Sequence, residues 1–425
     1  GTVKKEIAAH YQGGLEGSFN AGRDPCYWER VGAMFLADDP NWYEIGESSQ
    51  VLDSNDSASI EIVAGRLRST GQWDVLGPPD AAGTYNNTRA ICDDDTYIYF
   101  GGDFLNFDNI AAADYIVRRS KTTGAYSALA ALNGAVYAMV VGPDGTLYVG
   151  GNFTNAGGDA DADYLAQWDG ASFSALNATP LGDVVRALAV GTDGNLYVGG
   201  DFTNAGGDAD ADYLCLCTLS TGAFSALNAT PINGIVNALA AGSDGTVYAG
   251  GAFTNAGGDA DANWVCQVDA STGAYSAISS DVLSADVYAI AIDDQDRLYI
   301  TGPFTDKICQ WQGGAFETLG DGLNDTGFCL AIAPDGTLWA GGAFTEAGSV
   351  DLTDRLAVWN GASWAQPDID LPGTGNIRAL FITNADAVVE SNYDLYVGTS
   401  DTGTAYYAGA TTVTNDGTTK AYPRI

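Results

Sequence analysis

Three observations predict an all-β, seven-bladed β-propeller: a glycine-rich phrase recurring about every 50 residues, an Asp-Gly-type turn ahead of it, and an apolar strand ahead of that turn. The phrase reads YIYFGGDF, LYVGGNF, LYVGGDF, VYAGGAF, LYITGPF, LWAGGAF and LYVGTSD. Its second glycine or the equivalent falls at Gly102, Gly151, Gly200, Gly251, Gly302, Gly342 and, degenerately, Gly398. Subtraction gives gaps of 49, 49, 51, 51, 40 and 56, the period of a four-stranded antiparallel blade.

Each element follows from local pattern. The run VRALAVGTDGNLYVGG, from Val185 to Gly200, predicts an inner strand, a tight turn and a second strand. The same turn recurs at Asp144-Gly145, Asp244-Gly245 and Asp335-Gly336. A third strand such as YLAQWD, from Tyr164, and a short fourth such as SFSAL, from Ser172, complete the unit. The inner strands TRAIC, VYAMVV, VRALAV, VNALAA, VYAIAI, CLAIA and IRALFI carry no charge beyond an occasional Arg at their entry, as strands facing a packed centre should.

The last unit supplies only its first two strands, Ile377 to Ile382 and Asp394 to Gly398. Third- and fourth-type strands without a unit of their own occur at Ile60 to Arg68 and Gln72 to Gly77. A composite blade of two N-terminal and two C-terminal strands is therefore expected to close the ring and remove its open edge. The division expected is residues 1–57 as an N-terminal attachment-like segment, 58–404 as the propeller, and 405–425 as the start of a C-terminal β domain.

Composition agrees with a turn-rich β fold: 46% hydrophobic residues, 17% charged residues and 55 glycines. The formal net charge of −37 repels phosphate backbones and anionic lipid, so neither nucleic acid nor membrane insertion is expected. Seven cysteines without a CxxC pair signal neither a disulfide framework nor a zinc site, and buried thiols are expected. The opening GTVKKEIAAHYQGG has no apolar run of signal-peptide length, and a soluble chain is expected.

The segments GGNFTNAGGDADADYLAQWDGASFSAL, from Gly150 to Leu176, and GGAFTEAGSVDLTDRLAVWNGASW, from Gly341 to Trp364, resemble the delta-60 type of propeller repeat of bacterial surface and bacteriophage proteins. Outside the ring, DPCYWERVGAMFLADDPNWYEIGE, from Asp24 to Glu47, resembles the end of the N-terminal domain of siphophage distal tail proteins. The closing GATTVTNDGTTKAYPRI, from Gly409, resembles the start of their C-terminal galectin-like domain. The resemblance implies a virion structural protein of the phage tail tip, whose partners are other tail proteins and identical subunits in a ring, and whose propeller contacts a host-surface glycan or protein. The alternative is a secreted or cell-surface bacterial adhesin or carbohydrate-binding propeller.

Two polar or aromatic patterns are candidate sites. The loop FTNAGGDADAD places Asp159, Asp161 and Asp163, then Asp208, Asp210 and Asp212, then Asp259 and Asp261 followed by Asn263, at alternate positions after glycines. Such carboxylates can wrap Ca²⁺, which accepts six to eight oxygens in irregular geometry. They also suit side-chain turns that organise a connection between strands, the reading preferred because the distal bidentate Glu of an EF-hand is missing. No cofactor other than calcium is suggested. Trp168, Trp264, Trp311, Trp359 and Trp364 could stack on sugar rings if exposed, but they fall on third and fourth strands, where packing between blades is expected. The single histidine, His10, lies outside the ring and no nucleophile or phosphate-loop motif is present, so no enzymatic role is expected.

Overall fold

The computed structural model describes residues 87–408 except 108–109, 131, 281–282, 353–354, 368–370, 372–374, 384–393 and 401–403, together with 26–27, 51–52 and 74–76. The chain divides into two compact units. In the first, residues 1–70 and 425, Cys26–Tyr27 pairs antiparallel with Val51–Leu52. The second, residues 71–424, contains the propeller.

Six blades are each made from one continuous stretch of chain as a four-stranded antiparallel sheet. Their inner strands are Thr88–Asp93, Val136–Val141, Val185–Val190, Val236–Ala241, Ala289–Ile292 and Gly327–Ile332, and the blades are numbered 1 to 6 in that order. The predicted hairpin is present in each: in blade 3, Val190 pairs with Leu196 across the Asp193 turn. Asp193 accepts the Asn195 backbone N–H at 3.1 Å, and its equivalents Asp94, Asp144, Asp244 and Asp335 cap the same turn. In blade 1 the cap reaches further, because the Tyr99 hydroxyl donates to Asp94 Oδ2 at 2.7 Å. Local turn chemistry thus also satisfies a buried aromatic, which is 3% exposed.

Six continuous blades stand where the sequence marks predicted a ring of seven. The seventh mark belongs to a composite sheet in the order Asp74–Leu76, Thr404–Ala408, Asp394–Thr399, Ile377–Thr383. The expected partition of two N-terminal and two C-terminal strands is corrected to one and three. Thr404–Ala408 pairs with both Asp394–Thr399 and Asp74–Leu76, and so takes the place predicted for the N-terminal run at Ile60 to Arg68, which lies outside the described residues. The register also corrects the seventh mark by one residue. Ala379 faces Gly398 and Ile377 faces Thr399, whereas in blade 3 Ala187 faces Gly199 and Val185 faces Gly200, so Gly398 is the first glycine of the phrase and Thr399 holds the second place.

The two glycines act differently. A Cβ on Gly199 would lie 2.6 Å from Val236 Cγ1, the first side chain of the next inner strand, and Gly101 would meet Val136 in the same way. A Cβ on Gly200 would instead strike the Val184 carbonyl of its own blade. The first glycine therefore admits the neighbouring blade and the second lets the hairpin close on itself.

The core lies between blades. One cluster joins Tyr148 and Leu165 of blade 2 to Val185, Leu196 and Phe202 of blade 3. Another joins Trp339 and Val358 of blade 6 to Ile377, Leu395 and Val397 of the composite sheet. A third joins Phe100 of blade 1 to Tyr396 of that sheet, ring centroids 5.9 Å apart. Removing each such aromatic from water contributes about 1.5–3 kcal/mol.

Candidate functional site

The acidic loops fold as compact staples. Each begins with an asparagine in the left-handed region, Asn155, Asn204 or Asn255 at φ 52°, 55° and 53°, followed by one 3-10 turn. Asn tolerates this conformation better than most side chains. The third acidic position closes the loop: Asp163 Oδ1 accepts the Asn155 N–H at 2.7 Å, Asp212 accepts that of Asn204 at 2.8 Å, and Asn263 that of Asn255 at 2.9 Å. The first position ties the loop to the fourth strand. Asp208 Oδ1 accepts the Asp210 N–H at 3.1 Å while Oδ2 accepts that of Ala226 at 2.9 Å. Asp159 and Asp259 do the same with Asp161 and Ala175, and with Asp261 and Ala277. These backbone donors hold the carboxyls of Asp159 and Asp208 below their ordinary range.

The middle carboxylates, Asp161, Asp210 and Asp261, are exposed. Among the described residues no group of three or more His, Cys, Asp or Glu side chains is placed to hold a metal ion. The eight carboxylates singled out by spacing thus stand in three separate loops, and in each loop the first and third positions are engaged by backbone N–H groups.

The tryptophans are used for packing. Trp168, Trp359 and Trp364 are buried, Trp359 and Trp364 rest against each other with centroids 5.3 Å apart, and Trp364 donates its indole N–H to the Leu319 carbonyl at 2.7 Å. Trp264 and Trp311 are partly buried against the blade 5 cluster. Cys92, Cys215, Cys217, Cys266, Cys309 and Cys329 are free and buried, and burial pushes the Cys217 thiol up to about 12.

A second constellation carries no repeated sequence signature. The inner strands of blades 1, 2, 3, 4 and 6 and of the composite sheet each carry a register shift at their second residue. A β-bulge of this kind adds one residue to a strand and re-aims its side chain. The residues so placed are Arg89, Tyr137, Arg186, Asn237, Phe328 and Arg378, with Tyr288 at the corresponding point of blade 5. They meet across blade boundaries. The Arg89 guanidinium lies 5.3 Å from the Tyr137 ring centroid, Tyr288 stacks on Phe328 at 6.1 Å, and Arg378 lies 4.0 Å from the Phe328 centroid. Asn237 donates to the Val287 carbonyl of the next blade at 3.1 Å.

The charges in this girdle are unequal. Arg89 pairs with Asp103 at 2.9 Å, and Arg186 forms a two-point ion pair with Asp201, its Nη2 lying 2.8 Å from Oδ2. Arg378 has no ion pair among the described residues. Desolvation and the neighbouring Arg89 charge lower its pKa. Sequence reasoning noted the Arg at the strand entry but missed the girdle, because the positions share a bulge rather than a residue type.

Residues 165–327, from the third strand of blade 2 to the start of blade 6, match the family model of the Rax2 C-terminal beta propeller domain. No curated protein matches the chain significantly. A catalytically inactive virginiamycin B lyase from Staphylococcus aureus, solved with quinupristin, is similar at a TM-score of 0.54 and 12% identity, over 79% of this chain and 98% of that one. The extracellular domain of a protein described as the hybrid two component system BT4673 of B. thetaiotaomicron is similar at a TM-score of 0.54 and 11% identity, over 80% of this chain and 42% of that one. At these identities the likeness speaks for the fold alone. The chain is a β-propeller repeat protein with four-stranded antiparallel blades.

Proposed function

We propose that this chain is a recognition platform displayed outside the cell, acting by binding rather than by catalysis, with the composite sheet serving as the seventh blade of a closed ring. The observation that carries this reading is the girdle of bulged residues: a rigid scaffold re-aims one side chain on each of six inner strands, and those side chains are arginines, aromatics and an asparagine. Rigid presentation lowers the entropy cost of capturing a ligand.

The carrier is either a bacterial cell surface or a virion tail tip. The similarity to an extracellular domain favours display outside the cell in general. The tail-tip reading draws support from the tail-like flanks at Asp24 to Glu47 and from Gly409 onward. It also draws support from the pairing of Asp74 with Tyr406, which sets entry to and exit from the propeller on neighbouring strands, as a projecting inserted unit needs. Electron microscopy of native-source material with the chain labelled tests this. Label on a tail tip or a cell surface is expected, and label confined to the cytosol would overturn the proposal.

A further inference from the structure

We propose that the bulge girdle is a binding site for a sugar bearing a single carboxylate, held by Arg378 and stacked against Tyr288 and Phe328; the inference rests on the recognition-platform reading. Three observations carry it. First, the girdle holds three of the 17 basic residues of a chain whose net charge is −37, and two of them, Arg89 and Arg378, are close enough to repel each other.

Second, one of the three guanidiniums forms no ion pair among the described residues. Asp103 and Asp201 pair with Arg89 and Arg186, while Arg378 stands beside Arg89, feels the Asp103 charge and forms no ion pair among the described residues. A half-buried guanidinium beside another cation is stabilised by an incoming anion, and its planar fork matches a carboxylate at two points. One guanidinium free of an ion pair, inside a strongly negative envelope, suits a monoanion; a polyanion would be repelled before arrival.

Third, the girdle offers an aromatic face. Tyr288, 36% exposed, is the one exposed large hydrophobic side chain among the described residues, and it lies nearly parallel to Phe328 with an interplanar angle of 24°. Arg378 lies over the same Phe328 ring. A flat apolar face adjoining a guanidinium matches a pyranose whose ring stacks while its carboxylate is gripped.

The test is titration of the full-length chain with D-glucuronate, D-glucose and inorganic phosphate, followed by calorimetry or by NMR of the sugar. Saturable glucuronate binding is expected, with glucose and phosphate each about tenfold weaker or more. Arg378→Gln should weaken glucuronate about tenfold while leaving the melting temperature unchanged, since removing one charge-assisted contact has roughly that effect on affinity. Tyr288→Ala, at an exposed position, should weaken glucuronate and glucose alike. Absence of saturable glucuronate binding overturns the inference, as does phosphate binding as tight as glucuronate, or binding indifferent to both variants. If glucuronate fails while labelling still places the chain on a surface, the girdle assignment falls and the platform stands. If glucuronate binds but the chain is confined to the cytosol, the platform falls.

Discussion

The boundary between blades 3 and 4 and the boundary between blades 5 and 6 solve one packing problem in opposite ways. At the first, Gly199 is the next-to-last residue of the second strand and Val236 begins the next inner strand, with the valine filling the space above the glycine. At the second, Thr301 stands in the glycine position and Gly327 in the valine position, and a Cβ on Gly327 would strike the Thr301 side chain. The Thr301 hydroxyl donates to the Lys307 carbonyl at 2.7 Å, so the exchange buries no unpaired polar atom. Blade spacing is thus fixed by the summed volume across the boundary. One residue identity does not fix it, as close-packed interiors require.

Breaking one side of this pairing gives the largest expected effect. Gly199→Thr should destabilise the chain by about 3 kcal/mol in urea unfolding, the upper range for overpacking. Adding Val236→Gly, which copies the blade 5 and 6 arrangement, should recover more than about 1 kcal/mol of that loss. Strict additivity of the two costs would show that the boundary is not read as a pair.

Turn caps sharpen the comparison at the next level. Tyr99→Phe in blade 1 removes a 2.7 Å bond to Asp94 and should cost about 1 kcal/mol. Tyr197→Phe in blade 3, where the bond to Asp193 is 3.4 Å, should cost less than half of that by the same measurement.

The acidic loops of blades 2 to 4 have no equal in blade 5, whose shorter connection runs from Gly302 to Ile308. Asp208→Ala, which frees two backbone N–H groups, should lower the melting temperature by about 2 °C, and Asp210→Ala should leave it unchanged. Calcium and chelator should give the same melting temperature; a rise with calcium would assign the loops to the metal after all.

Acid should expose the role of Asp208. Backbone donors lower the folded pKa of Asp208. Its contribution is therefore fully present above the unfolded value near about pH 4, and is lost as pH falls through the lower folded value. Melting curves from about pH 5 downward should fall less steeply for Asp208→Asn than for the wild type. The smallest effect concerns the thiols: with Cys217 buried and pushed up to about 12, a thiol reagent at neutral pH should modify none of the six described cysteines before global unfolding.

Much of the scaffold could be read from local pattern. The Asp-Gly turns, the alternation of VRALAV and the spacing of the glycine pairs are short-range signals, and each became the strand or turn it implied. The calcium reading of FTNAGGDADAD was also local. It stood beside a side-chain-turn reading, and the turn bonds reach beyond the loop: Asp208 accepts the N–H of Ala226, 18 residues away on the fourth strand. The third strand of the composite sheet escaped because TAYYA, at Thr404 to Ala408, carries no mark of its repeat type, and its place follows from pairing on both edges.

By itself the sequence determined the repeat, the four-stranded unit and the negative charge, because alternation, turn chemistry and composition act over a few residues and need no partner. Tertiary structure decided three things: how the ends share a sheet, which carboxylates serve the backbone, and which side chains face one another across the bulges. Each of these depends on register between strands far apart in the chain. A shift of one residue between them, as at Arg186 or Arg378, re-aims a side chain without leaving any trace in the composition of the strand.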